Sequence, residues 1–469
     1  MMGSSIKEKK NKVWIAIVVG VVFYFLFQMI SFPGLTAEGQ KAIAFTIIIV
    51  FFLMGDLFPL LIISLLIVIL TPILGIIPQG EVFANFTIGP IFFVLGVFIL
   101  AEGFTQTGFG YRLSLYVSGL FGKKPENVLL SYMLASGLVS SVLADIPTAI
   151  IFGALAMEVL KDNDCLPGKS NFGKLLMIGV PMGATIGGIG TPAGGVVNVL
   201  TINLIKSILD IEITFVQWTI VCFPFAFLML LLAWFVLCKV YKPEISEVKG
   251  LENLAQKRHE LGSMTKREQK YLFIFACMII LWLTQSIHGL TLWAIAILGT
   301  TLFFLPGINI LEWRDVKNNI NYEIPFLIGA MNVIAYSLTS SGAAEWFASY
   351  ALGGLENVSA FSVLAIVTVI GIVAHYILPA SSAEVMVLTP VVCMIGLQVG
   401  VDPVILSLAI CLTAHCSMLL PLGDTICLAT YSYNYWSVWD MLKPTLILAV
   451  LWVPLTIVIL QIAKILTIL

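Results

Sequence analysis

The sequence predicts an all-α integral membrane protein, with about eleven transmembrane helices plus two re-entrant hairpins in two inverted repeats. Three observations predict it. The 469 residues are 59% hydrophobic and only 11% charged, whereas a soluble domain carries about 25% charged residues. The apolar runs are long and continuous, which in lipid selects helices over a barrel of short alternating strands. Finally, a pattern of interrupted apolar segments occurs twice, as expected of a transporter built from repeats.

A basic N-terminal tail (1–12, with Lys7, Lys9, Lys10 and Lys12) precedes the apolar run Val13–Ile30. That run is too long for a signal-peptide core and is expected to stay as the first helix. Further spanning runs fall near 41–54, 57–77, 88–106, 174–187, 215–240, 271–287, 291–305, 323–341, 403–420 and 440–468, each judged against the roughly 20 residues a span needs.

Two other apolar regions, about 126–160 and 357–398, are broken by LADIPTA (143–149) and LPASSAE (378–384). Small and polar residues in mid-run suit a hairpin that enters the membrane and turns back, a backbone tolerated only in a cavity or inside protein. Two later breaks, GGIGTPAGGVVN (187–198) and LPLGDTIC (420–427), each follow a hairpin. Each is itself followed by an aromatic-rich entry (EITFVQW, NYWSVW) and a long apolar helix.

The most basic loop is 241–270, with Lys242, Lys249, Lys257, Arg258, Lys266, Arg267 and Lys270. It divides a first repeat, 13–240, from a second, 271–469. With the basic N-terminus it should face the cytoplasm, and an odd number of spans after it puts the C-terminus outside. The net charge of −2 and the absence of a basic stripe exclude a nucleic-acid partner. The eight cysteines form no C-x-x-C pair and read as small buried hydrophobes.

The stretches GFTQTGFGYRLSLY (103–116), MGATIGGIGTPAGGVVN (182–198), LFFLPGINILEWRDV (302–316), LTSSGAAEWFA (338–348) and HCSMLLPLGDT (415–425), in this order and spacing, resemble the divalent anion/sodium symporter family, which includes sodium-coupled dicarboxylate, citrate and sulfate carriers. The resemblance implies a plasma-membrane homodimer whose transport part slides against a scaffold, elevator fashion. It also implies a small anionic substrate, most often a C4 dicarboxylate, with sodium ions for coupling and no other cofactor. The family marks its hairpin tips with Ser-Asn-Thr; here they read Ala144-Asp145-Ile146 and Ala380-Ser381-Ser382. The broken helices usually carry Thr-Pro-Pro; here they carry Gly195-Val196-Val197 and Asp424-Thr425-Ile426. Carried over residue by residue, Ser140, Asp145 and Gly194 surround a first cation, and Ser381 and Gly423 a second. Asp145, Thr148, Ser381, Ser382 and Thr425 meet the substrate.

Asp145 reads as a sodium ligand, a proton acceptor or a helix cap, since Asp before Pro147 and Thr148 is a good helix start. Glu384 and Asp424 lie beside breaks, where they carry charge or protons; Glu384 also suits a helix first turn. These acids repel a dianion unless cations or protons neutralise them. His415 and His375, just before a break and a tip, carry a proton near neutral pH or stay neutral and hydrogen-bonded. Asp56 and Glu102 read as structural, a candidate pair. The altered tips leave sodium symport, sodium-independent dicarboxylate exchange and proton-coupled carriage of sulfate or citrate open, and a channel is the remaining transport class. A membrane-embedded enzyme is the rival from another class, but no H-E-x-x-H or nucleophile motif supports it.

Overall fold

The computed structural model describes residues 2–55, 57–117, 120–143, 145–352, 358–377, 381–416 and 425–468, and every regular element among them is helical. Among the described residues, five helices are long and apolar enough to cross a membrane: Ala37–Met54, Gln79–Gln106, Phe215–Val240, Ser381–Val399 and Val438–Ile465. The pair Glu323–Ser340 and Ala343–Tyr350, bent by 67°, makes a sixth if counted as one span, and six apolar helices of 10–17 residues accompany them.

The first expected hairpin comprises Pro125–Ser140 and Asp145–Asp162, and the second Ala360–Ile377 and Ser381–Val399, with residues 144 and 378–380 outside the described residues. The first broken helix stops at Gly188 and resumes at Val196; the helix Pro403–Ala414 precedes the second expected break, of which residues 417–424 lie outside the described residues. The aromatic-rich entries owe their position to caps. Thr214 with Gln217, and Ser437 with Asp440, form reciprocal capping boxes that start the two long helices 215–240 and 438–465. Residues 2–12 are helical and run into the first helix, Met2–Gln28. The linker 241–270 holds the helix Leu251–Glu260.

The chain divides into two compact units. One comprises Met1–Ile91, Leu200–Glu212 and Asn321–Ala414. Within it Asn332 ties three segments, donating to the Asn85 carbonyl at 2.8 Å and accepting from Asn203 Nδ2 at 2.9 Å. The helix 403–414 packs on both hairpin helices, and Cys393 and Ser407 meet at 3.1 Å.

The other unit comprises Phe92–Val199, Ile213–Ile320 and His415–Leu469. Its centre is the pairing of 125–140 with 171–188. Gly179, Gly183 and Gly187 recur every four residues on one face of the second helix. A Cβ on each would run into Leu129, Ser136 and Gly137 of the first in turn. Small residues at this spacing let membrane helices approach backbone to backbone. The linker is laced to the first hairpin. Lys257 Nζ pairs with Glu158 at 2.7 Å, Asn253 donates to Asp162 at 3.1 Å, and Asn163 exchanges two hydrogen bonds with the backbone of Lys249.

Candidate functional site

The first hairpin turns between Ser140 and Asp145, and Asp145 opens the returning helix. Ser140, fully buried, donates through Oγ to Asp145 Oδ1. The carboxylate lies over the break in the neighbouring helix: a Cβ on Gly188 would collide with Asp145 Oδ1, and one on Gly194 would collide with the Gly188 carbonyl. Only glycine at these two positions lets a carboxylate, a turn and the Gly188 carbonyl come so close.

The break is built from polar groups that the sequence reading did not single out. Asn198 Nδ2 donates to the carbonyls of Gly188 and Thr191, both at 2.8 Å. Thr191 Oγ1 donates to the Ser141 carbonyl, joining the break to the hairpin tip, and accepts from Ala193 N at 3.1 Å. Trp218 Nε1 donates to the Ile189 carbonyl at 3.0 Å. Helix interruption frees these carbonyls, and side chains must satisfy them in a buried setting. The sequence signal for Asn198 and Thr191 was their polarity inside an otherwise Gly- and Val-rich run.

His415 belongs to the same unit. A Cβ on Gly195 would lie 3.3 Å from its Nε2, so the ring sits against the backbone that follows the first break. Thr148, buried, lies one turn into the returning hairpin helix. The structure brings Ser140, Asp145, Gly194 and His415 to one region. Thr425 begins the helix Thr425–Tyr431, while Gly423 and Asp424 lie outside the described residues.

In the other unit, Ser381 opens the second half of its hairpin and donates to the Ala414 carbonyl at 2.8 Å, the last helical residue before the second break. Ser382 is half-buried beside it. Glu384 is fully buried in the first turn. It does more than complement the helix dipole, because His375 Nδ1 from the preceding helix lies 2.8 Å from its Oε2. Neither residue type nor spacing alone announced that pairing. Of the two acids read as a structural pair, Glu102 accepts from Gln106 and Asn319, both at 2.7 Å; Asp56 lies outside the described residues.

A membrane-spanning chain with interrupted helices, and acidic, hydroxyl and carbonyl groups gathered at the interruptions, is a secondary transporter, and comparison with known proteins agrees. Residues 8–469 match the sodium:sulfate symporter transmembrane region, and the chain belongs to that family. It is 25% identical over 446 residues to the sodium-dependent dicarboxylate transporter SdcS of Staphylococcus saprophyticus, spanning 89% of this chain and 85% of the relative. Against SdcS of Staphylococcus aureus strain USA300 the identity is 25% over 448 residues, with the same coverage of both chains. The fold is similar to that of the Alcanivorax borkumensis YdaH transporter (TM-score 0.57, 14% identity, 80% of this chain and 86% of that one). It also resembles the Neisseria gonorrhoeae efflux pump MtrF (TM-score 0.55, 15% identity, 81% and 82%).

Proposed function

We propose that this protein is a secondary active transporter of a small anion, a C4 dicarboxylate, by elevator-type alternating access coupled to sodium. The observation that carries the reading is the contact of Ser140 and Asp145 with the Gly188–Gly194 break. A carboxylate, a hydroxyl and carbonyls freed from a helix are the hard oxygen donors that a sodium ion takes. Support for dicarboxylate as cargo comes from the named activity of the SdcS relatives; support for an anion also comes from the family.

In this reading the repeats 13–240 and 271–469 are inverted, eleven helices span the plasma membrane, and the protein is a homodimer. The N-terminus and the linker 241–270 are cytoplasmic and the C-terminus is outside. Sodium binds at Ser140, Asp145 and Gly194, and at Ser381 and Gly423. The substrate meets Asp145, Thr148, Ser381, Ser382 and Thr425. Bound sodium offsets the charge of Asp145, so that a dianion is not repelled. Half-helix N-termini supply a positive field for an anion.

A second reading rests on His415 beside Gly195. A protonated ring there supplies the positive charge of a cation, and the protein then exchanges dicarboxylates without sodium.

The deciding measurement is uptake of labelled succinate into proteoliposomes, with and without an inward sodium gradient and with and without internal dicarboxylate. Uptake that requires sodium supports the first reading. Sodium-independent uptake that rises with internal dicarboxylate supports exchange. No uptake by folded protein sinks the dicarboxylate assignment and turns the screen to sulfate and citrate.

A further inference from the structure

The second hairpin holds a pair of titratable groups that the sodium reading does not use. His375 and Glu384 meet at 2.8 Å across the tip, with side chains 2% and 0% exposed. Glu384 Oε1 is buried and has no hydrogen-bond partner among the described residues. A carboxylate kept only as a structural clamp has both oxygens satisfied, because an orphaned buried acceptor is costly. The orphaned oxygen is instead a place where a proton fits without displacing anything.

Among the described residues, the neighbouring elements bring little charge to the pair. Cys411, on the helix 403–414, is close enough to feel Glu384 and bonds to Thr201. On the helix 323–340, Tyr336 is engaged by Glu81 and Glu323 by Leu60 N. On 343–352, Glu345 and Tyr350 are exposed; on 360–377, Tyr376 is exposed; and Cys393, on the helix of Glu384 itself, is held by Ser407.

We infer that His375 and Glu384 together form a proton-binding site, loaded from water on one side of the membrane and emptied on the other. This rests on the carrier reading and adds to it a second coupling ion. With one proton shared between them the two groups are net neutral, whether written as acid plus neutral ring or as carboxylate plus imidazolium. With none or two, a net charge is buried, which is costly away from water. The loaded pair therefore keeps its proton while occluded and exchanges it only where water reaches the hairpin, and the emptied pair crosses back only with its charge offset by water or a bound cation. Loading forms one O–H or N–H bond to a proton taken from water. Release breaks that bond to water, and no electrons change hands. The conjugate base left behind is stabilised only while solvated, so release is tied to the open state of the carrier.

The test uses proteoliposomes with equal sodium on both sides and a trapped pH dye. For one coupled proton, an inward gradient of about one pH unit raises the accumulation of labelled succinate about tenfold, and the dye reports acidification in step with uptake. E384Q and H375Q, which each remove one titrating group, lose the gradient effect and the dye signal. Wild-type accumulation that ignores the gradient with a silent dye overturns the proposal while leaving the carrier reading intact. So does coupling that persists in either variant. If succinate, sulfate and citrate all fail to enter, the carrier reading has failed, and infrared titration of wild-type protein with isotope-labelled glutamate judges the proton site without substrate. The same titration decides if neither variant folds. A slowly exchanging carboxyl band that changes with pH together with the histidine ring signal upholds the site, and its absence overturns it.

Discussion

Asp145 Oδ1 fills the space that a Cβ on Gly188 would need. The hairpin tip and the broken helix are thus fitted around one oxygen atom, and the fit depends on a missing side chain. G188A is expected to push the carboxylate off the break while leaving both helices in register. If sodium binds there, its half-saturating concentration rises about tenfold, equivalent to ~1.4 kcal/mol. S140A keeps the carboxylate but removes its donor and should shift the same constant less. Initial uptake measured against sodium concentration checks both, and an unchanged constant in folded G188A would remove Asp145 from the cation site.

Gly187 meets Gly137 backbone to backbone. No side-chain rotation relieves a methyl group placed there, so one of the two buried helices must move. G187A should lose at least the roughly 1–3 kcal/mol of ordinary overpacking. Gly80 also lies in a helix, but a Cβ on it meets nothing within 4 Å. G80A should therefore match or slightly exceed the wild type, since alanine is the better helix former. Thermal unfolding followed by tryptophan fluorescence in detergent separates the two. Equal loss in both would mean that helix contact is not what Gly187 serves.

How far the sequence was legible depends on the range of each interaction. The turn before Asp145 and the helix break after Gly188 could be read because Pro147 and the glycines at 187–195 interrupt apolar runs locally. The capped starts at Thr214 and Ser437 are likewise local, four-residue signals. Asp145 stood out because an acid in an apolar run is expensive. Its partner Ser140 lies within reach across a short turn, so the family comparison could place it. The His375–Glu384 pair was not legible: its members are nine residues apart on two helices, and only the hairpin fold brings them together. Asn198 was missed for a related reason. Its role is to satisfy carbonyls seven and ten residues upstream, at Thr191 and Gly188, and a residue's own identity does not reveal which backbone groups are orphaned.

Arg112 and Glu268 are 6% and 4% exposed and joined by two bonds, Nε to Oε1 at 2.7 Å and Nη2 to Oε2 at 3.2 Å. Arg112 Nη1 also donates to the Gly262 carbonyl at 2.9 Å, fixing the end of the linker. Removing one partner leaves a buried unpaired charge, so R112A should destabilise by about 3–5 kcal/mol, whereas replacing both by methionine should cost much less. R112K keeps the charge but loses the forked geometry and should fall between. A double-mutant cycle on thermal unfolding measures the coupling, and additive losses would show that the pair is not a unit.

Glu244 anchors the start of the helix 171–188 from the linker. Its carboxylate accepts from Ser170 Oγ and, at 3.0 Å, from Phe172 N, while Ser170 Oγ in turn accepts from Gly173 N at 2.8 Å. Partial burial pushes its pKa up, but the bonds from Ser170 and Phe172 outweigh that and hold it below the usual carboxylate value. A group whose folded pKa is depressed contributes stability that is fully present above the unfolded value, near 4.3. That stability is lost as pH falls through the lower, folded value. E244Q should therefore melt earlier than the wild type at neutral pH, modestly because the side chain is exposed to solvent and salt screens it. The difference should shrink on acidification through that window and vanish below it. Melting curves of both proteins across acid pH give the answer, and a gap that stays constant down to the most acid sample would assign the effect to the lost oxygen acceptor rather than to its charge.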